Sequence, residues 1–325
     1  MEDTLREIDR IIGRINTHPE YSDRVRREIK DAMMIEAHRH SALIEAETGG
    51  LVTTREKEEI CGESLRSLES AWYALSRDGE LQTTTIATLG HTFSPKVQLT
   101  KGFRKRNVRF ASFDEEEIPD WTQVTDRMGN LIMNLPYLEL PPVTKAIGAH
   151  LGIVEIHPFM DGNGRCARLV QNFCLSQAGY PPAKIDSAEK SIYFQLIERA
   201  LKDRYAGTSV LHNPSPDERV FHDFVESKVL VAAEGLEEQL RCRRAYTIEI
   251  GKIDNPAIAI AIKKLLASFG RKRQTTAYEI GMHSQGKGRY KIDILGDVGQ
   301  EELKGVLDKS TTKYGGKYTL QVNRG

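Results

Sequence analysis

What this 325-residue chain lacks narrows it quickly. Nowhere do about 18 uninterrupted apolar residues occur, the length that a membrane-crossing helix needs. The opening Met1-Glu2-Asp3-Thr4 is acidic, with no apolar run behind it, so neither a cleaved leader nor a membrane span is expected. Cysteine is scarce: Cys61, Cys166, Cys174 and Cys242 are scattered, form no CxxC pair, and suggest neither a disulfide framework nor a zinc site. A reducing, cytoplasmic setting fits best. Neither charge is in excess, with 46 basic against 46 acidic residues, so no global field recruits nucleic acid or an anionic membrane. Internal repeats and low-complexity tracts are missing too. What remains is ordinary globular composition, 39% hydrophobic, with enough chain to bury a core in roughly two domains.

Residues 2–14 place Leu5, Ile8, Ile11 and Ile12 at helical spacing. After Thr17-His18-Pro19 a second helix is expected from Ser22, a capping residue, through Val25, Ile29, Met33, Glu36, His40 and Leu43 to a stop at Gly49-Gly50. Residues 53–78 predict a third, opening at Thr53/Thr54 with Leu65, Leu68, Trp72 and Leu75 inward, and 81–90 a shorter fourth. In 97–113, Gly102 separates two short runs, and Val108 and Phe110 alternate with Arg109, which is the pattern of a β-hairpin. Its Lys101, Arg104, Lys105, Arg106 and Arg109 precede an acidic run, Asp114 to Glu117. These charges read either as a solvated, self-neutralising surface or as an exposed edge that captures an extended peptide. Two apolar stripes follow, Val143-Ile147-Leu151-Val154 and Leu169-Val170-Phe173-Cys174, the second closed by Gly179 and Pro181-Pro182. Helices over 187–204 and 217–243 are separated by Asn213-Pro214-Ser215-Pro216.

Beyond Arg244 the texture changes: a strand at 246–250, a helix at 255–269, strands at 275–282 and 289–295, a helix at 299–309 and a strand at 317–322. The order βαββαβ suits a small ferredoxin-like domain. The alternative is a winged helix, with two helices across a turn at Gly270 and Arg271-Lys272-Arg273 as a basic cluster. The expected organisation is thus a helical region over 1–90, a helical core with flap and central loop over 91–243, and an α+β accessory domain over 244–325.

Between the two apolar stripes lies His157-Pro158-Phe159-Met160-Asp161-Gly162-Asn163-Gly164-Arg165-Cys166-Ala167-Arg168. A Gly-Asn-Gly turn opening a helix aims backbone N–H groups along the positive end of the helix dipole, a ready phosphate site. Arg165 and Arg168, three apart on the first turn, can fork onto further phosphate oxygens. Asp161 beside that cradle is a partial ligand for Mg²⁺, which keeps most of its waters. An ordinary imidazole such as His157 is largely neutral near pH 7 and can accept a hydroxyl proton. Base, metal and phosphate nest together imply transfer of a phosphate-linked group to a hydroxyl. The competing structural reading, a satisfied core histidine and a plain helix-joining turn, explains fewer of these residues.

These residues resemble the HPFxDGNGRxxR signature of Fic-domain proteins at every specified position, and the likeness extends over about 20–210, including Gly179-Tyr180-Pro181-Pro182. The resemblance implies an all-helical core with a β-hairpin flap, and AMP transfer from ATP to a Ser, Thr or Tyr hydroxyl of a protein target, possible self-modification included. It makes His157 the general base, Asp161 the Mg²⁺ anchor and Phe159 a core anchor. Gly162, Asn163, Gly164 and Arg165 would hold the α- and β-phosphates, and Arg168 the γ-phosphate. The flap, Leu99-Thr100-Lys101-Gly102-Phe103 and onward to Phe110, would register the target by strand addition. Tyr193 is either a wall of the adenine pocket or a core tyrosine.

Ser41 and Glu45 share one helix face at i and i+4. They resemble the family's inhibitory (Ser/Thr)xxxGlu(Gly/Asn) motif, with Ala46 departing at the last position, which implies a Glu45–Arg168 brake. The same glutamate would equally serve removal of AMP. Other donors such as UTP or CDP-choline, and a nucleotide-responsive DNA or partner-binding switch built on the C-terminal domain, are the remaining alternatives. Self-association through the helical face is a further expectation; no membrane partner is expected.

Overall fold

The computed structural model describes residues 2–17, 23–46, 53–110, 113, 117–242, 244–251, 256–272, 279–286, 289–296, 300–314 and 317–323. The architecture is mainly helical with one small antiparallel sheet, the class that the sequence leads one to expect. By its internal contacts the chain forms two compact units, 1–12 with 30–234 and 13–29 with 235–325.

The helical elements are α1 (Glu2–Thr17), α2 (Asp23–Ala46), α3 (Thr54–Asp78), α4 (Thr83–Phe93), α5 (Val124–Asn134), α6 (Pro142–Ile156), α7 (Asn163–Gln177), α8 (Lys190–Tyr205) and α9 (Pro216–Cys242). The expected cap Ser22 and stop Gly49-Gly50 lie outside the described residues. α3 opens with a capping box: Thr53 Oγ1 accepts from the Glu56 N–H at 3.3 Å and Glu56 Oε2 accepts from the Thr53 N–H at 2.7 Å. Such a cap stabilises a helix by about 1 kcal/mol.

α6 is buried on nearly every side, from Ala146 to Val154. An apolar helix of this kind sits at the centre of a bundle, and α7 packs along it, burying Cys166, Ala167, Leu169, Val170 and Phe173. The loop between them is therefore anchored at both ends in the core. α5 went unassigned at the sequence level, although Val124, Met128 and Ile132 recur every four residues and all three are buried.

The hairpin expected over 97–113 does not form among the described residues, 97–110 and 113. Among its described residues only an isolated bridge, Phe110 with Phe113, has strand character. The backbone pairs elsewhere: the Gly102 N–H donates to Ala87 C=O at 2.9 Å, and the Arg104 N–H to Pro158 C=O at 2.8 Å. Gln98, buried, donates through Nε2 to the Gly102 carbonyl at 2.9 Å and accepts from the Met160 N–H at 3.2 Å. The segment is a strap laid over α4 and the central loop, because those elements offer the partners that a second strand would have supplied.

In the second unit, β1 (Arg244–Gly251), α10 (Pro256–Lys272), β2 (Glu279–Gly286), β3 (Arg289–Gly296), α11 (Gln300–Tyr314) and β4 (Lys317–Asn323) build a sheet of order β2-β3-β1-β4, antiparallel throughout. Ile248 stands opposite Ile292 and Leu320, and with Tyr246, Ile250 and Ile294 it packs under Ile262, Leu266, Leu303 and Leu307. Alternate positions such as Glu249 and Thr319 are exposed, the period-two signature of a sheet covered on one face. This is the ferredoxin-like arrangement. The winged helix is overturned, since α10 continues unbroken through Gly270 and residues 279–286 are strand. Arg271 and Lys272 end α10, and Arg273 lies outside the described residues.

Candidate active site

His157 closes α6 in a left-handed conformation, φ 52° and ψ 58°, the one non-glycine with positive φ among the described residues. Such backbone is uncommon away from glycine and is held here by its surroundings. The His157 N–H still donates to Ile153 C=O at 2.9 Å, and Arg104 Nε donates to the His157 carbonyl at 2.8 Å. Arg104 is itself buried, its other nitrogens donating to the carbonyls of Arg106 and Pro119. The sequence reading counted it among surface charges; the structure makes it the clamp on the turn.

His157 Nδ1 lies 3.3 Å from Val154 C=O. A carbonyl can only accept, so Nδ1 carries the hydrogen and Nε2 keeps a lone pair. The ring stacks on Phe110, with centroids 4.5 Å apart. Burial is the main force pushing the imidazole down to about 4; the bond to Val154 opposes it, Arg104 adds to it and Asp161 opposes it. The side chain is a neutral acceptor throughout the physiological range.

The loop from Phe159 to Asn163 is closed by a single side chain. Asn163 Oδ1 accepts from the Phe159 N–H at 2.9 Å, and its Nδ2 donates to the Phe159 carbonyl at 3.0 Å. Phe159 is fully buried, its ring against Gly90, where a Cβ would come within 2.3 Å. Gly162, the N-cap of α7, has φ 86° and stands so close to Phe93 that a Cβ would meet it at 2.8 Å. Glycine is required there on both counts.

Asp161, about half exposed, bonds through Oδ2 to the Ser94 hydroxyl and to Arg165 at 3.1 Å. Arg165, buried, also donates to Phe93 C=O and to Ser94 Oγ, each at 3.0 Å. Arg168, buried one turn further on, donates Nε to Ser41 Oγ at 2.8 Å and an NH2 proton to Glu45 Oε1 at 3.0 Å. Its NH1 donates to the Tyr193 hydroxyl at 3.3 Å. Glu45 Oε1 also lies 3.7 Å from where a Cβ of Gly164 would stand, so a carboxylate sits over the first turn of α7.

The structure thus brings Ser41, Glu45, Asp161, Gly162, Asn163, Gly164, Arg165, Arg168 and Tyr193 together around one helix N-terminus. Tyr193 is fully buried against Arg168 and lines no open wall. Leu99, Thr100 and Lys101 are exposed on the strap, while Phe103 turns inward against Phe159. Glu45, Asp161 and Arg165 edge a cleft of about 610 Å³ walled by α3 and residues 92–97, within the range of a small-molecule site. A larger hollow of about 910 Å³, beside Arg109 and Tyr205, includes no residue of the central loop. Ser94 and Gln98 belong to no motif of the sequence, and Arg104 stands there only among the charges of 97–113; their partners, the Asp161 carboxylate and Arg165 guanidinium, the Met160 N–H and the His157 carbonyl, lie 53 to 71 positions away, beyond any local pattern.

Against known proteins, the model of the Fic/DOC family matches residues 6–175, more than half of the chain. Over 61 residues the sequence is 48% identical to the Drosophila persimilis protein adenylyltransferase Fic, a stretch that is 19% of this chain and 12% of the other. The Drosophila melanogaster protein of the same name gives the same figures. The chain spans about an eighth of the length of these curated relatives. Among solved structures it is similar to a Fic-domain-containing signaling protein from Bacteroides thetaiotaomicron, with TM-score 0.58 at 20% identity over 72% of this chain and 98% of that one. Fic-1 from C. elegans, residues 134–508, gives TM-score 0.53 at 19% identity, covering 74% and 72%. At such identities the likeness concerns the fold. With the signature loop seated between two buried helices and the family model running across more than half of the sequence, the chain belongs to the Fic/DOC family.

Proposed function

We propose that the protein is an adenylyltransferase that moves AMP from ATP to a Ser, Thr or Tyr hydroxyl of a target protein, and that Glu45 restrains it. The observation that carries this reading is the Glu45 carboxylate held at 3.0 Å by Arg168 over the first turn of α7. An anion already occupies the cradle that a terminal phosphate would fill. The names of the Drosophila relatives support the same chemistry.

In this reading the target hydroxyl attacks the α-phosphorus, its proton passes to Nε2 of His157, and the bond to the β-phosphate oxygen breaks to release pyrophosphate. Backbone N–H groups of Gly162, Asn163 and Gly164, with Arg165, bind the α- and β-phosphates, and Arg168 binds the γ-phosphate once Glu45 withdraws. Asp161 fits Mg²⁺, offering a half-exposed carboxylate beside the cleft. Such an ion is commonly held by one or two carboxylates plus the substrate's own phosphates. When bound, it would offset negative charge on those phosphates. The exposed Leu99-Thr100-Lys101 side of the strap receives the target segment, and the cytoplasm is the expected compartment.

Intact-protein mass spectrometry with Mg²⁺ and ATP tests the reading. Purified wild type, Glu45→Gly and Glu45→Gly/His157→Ala are compared. The expected result is gain of one AMP mass by Glu45→Gly alone, on itself or on a supplied target. Equal labelling of wild type and Glu45→Gly would remove the brake, and labelling that survives His157→Ala would remove the base.

A further inference from the structure

Arg168 has partners from two directions. Three of its hydrogen bonds go to α2: Nε to Ser41 Oγ, and NH2 to the Ser41 carbonyl at 3.4 Å and to Glu45. The fourth goes the other way, from NH1 to the Tyr193 hydroxyl on α8. The guanidinium carbon also lies 5.6 Å from the Tyr193 ring centroid, a cation–π distance. Behind the tyrosine, its hydroxyl lies 3.0 Å from His150 Nε2 on α6. Arginine has only donors, so the tyrosine oxygen accepts from NH1 and its own proton is free for the histidine. Burial drives His150 down to about 3, with Arg168 adding to the effect, so the ring is neutral and Nε2 can accept. The result is a fully buried chain, Arg168 to Tyr193 to His150, that owes nothing to α2.

We infer that Tyr193, backed by His150, is a positioning residue that holds the Arg168 guanidinium over the helix N-terminus when Glu45 withdraws, and so sets the preference for a nucleoside triphosphate over a diphosphate. The inference rests on the reading of Arg168 as the γ-phosphate ligand. Releasing Glu45 strips the guanidinium of its one carboxylate at hydrogen-bond distance, and any shift of α2 that carries Glu45 away loosens the Ser41 bonds with it; without a hold independent of α2, a long side chain would lose orientation at the moment its ligand arrives. Tyr193 supplies that hold with a rigid ring and one hydrogen bond, and it touches no substrate itself. Its conversion to phenylalanine removes one hydroxyl and leaves the ring in place.

The test uses the full chain and calorimetric titration with Mg·ATP and Mg·ADP, comparing Glu45→Gly with Glu45→Gly/Tyr193→Phe. Expected is an ATP affinity lower on the order of tenfold in the double variant, with ADP affinity unchanged, because only the triphosphate reaches Arg168. A merely structural tyrosine would weaken both nucleotides alike or neither, and an unchanged ATP-to-ADP ratio overturns the inference. If Glu45→Gly itself binds the two nucleotides equally, the γ-phosphate reading of Arg168 falls, and this inference falls with it; the parent titration keeps the two failures apart. Should Tyr193→Phe not fold, His150→Leu, which leaves the tyrosine without its acceptor, is read by the same ratio: a smaller loss for ATP alone supports the relay, and no change overturns it.

Discussion

Two ion-paired arginines in the helical unit, the partly buried Arg204 and the buried Arg168, are held in opposite ways. Arg204 on α8 is gripped by two carboxylates from other helices, Glu155 of α6 at 2.9 Å and Glu218 of α9 through two nitrogens at 2.9 and 2.6 Å. Glu218 is fully buried and also takes the Ser209 hydroxyl. Arg168 has one hydrogen-bonded carboxylate, Glu45, still partly exposed, and otherwise the neutral oxygens of Ser41 and Tyr193. A cation neutralised on two sides is a rivet; a cation left short of negative charge beside a helix N-terminus is a receptor. The same residue type is read apart by counting what faces it.

The largest effect is expected at the rivet. Glu218→Ala leaves Arg204 short of its principal partner in the core and should destabilise the fold by about 3–5 kcal/mol, seen as a large drop in thermal midpoint. A drop no larger than that for an exposed carboxylate would dissolve the contrast between the two arginines.

Acid sharpens the comparison. Burial alone would raise the Glu218 carboxyl, but bonds from His222 and Arg204 and the Arg204 charge outweigh it and hold it at about 2, so the rivet survives mild acid. Burial meanwhile pushes His38 and His157 down to about 4 and His150 to about 3. An unfolded chain binds protons at these histidines from about pH 6.5 downward and the folded chain does not, so stability falls as pH drops from about 6.5 through 4. A loss of a few kcal/mol over that window is expected in unfolding titrations at stepped pH. A flat profile there would mean that the rings are not buried as neutral groups.

The smallest stability change is expected at the receptor. Glu45→Gln keeps a hydrogen-bonding side chain and removes the charge, which should lower unfolding free energy by about 1–2 kcal/mol, less than Glu218→Ala, while raising AMP transfer in the mass assay. A loss as large as that of Glu218→Ala would make Glu45 a second rivet.

The helices of the core could be read from apolar spacing, and the C-terminal fold from the order of its elements, because burial period and element order are written locally. The strap could not. Its alternation around Arg109 satisfies the rule for a strand, but the partners of Arg104 and Gln98 are main-chain groups of the central loop, far along the chain. α5 carries its period only in Val124, Met128 and Ile132, too short a stripe to stand out among the charges and turn residues beside it. The chemistry of the loop was legible because its residue types are adjacent. That Asn163 would spend its amide on Phe159, or that Tyr193 would face Arg168, depends on packing alone.

The Asn163 clasp has one more consequence. A loop that knots its first and last residues together through one amide carries part of its template within itself, and takes the rest from Gln98, Ser94, Arg104 and the space at Gly90 and Phe93. A scaffold that receives this loop must therefore also bring a glycine at the position of Gly90 and polar partners at those of Ser94, Gln98 and Arg104, and a transplant that omits them is expected to lose the loop's shape.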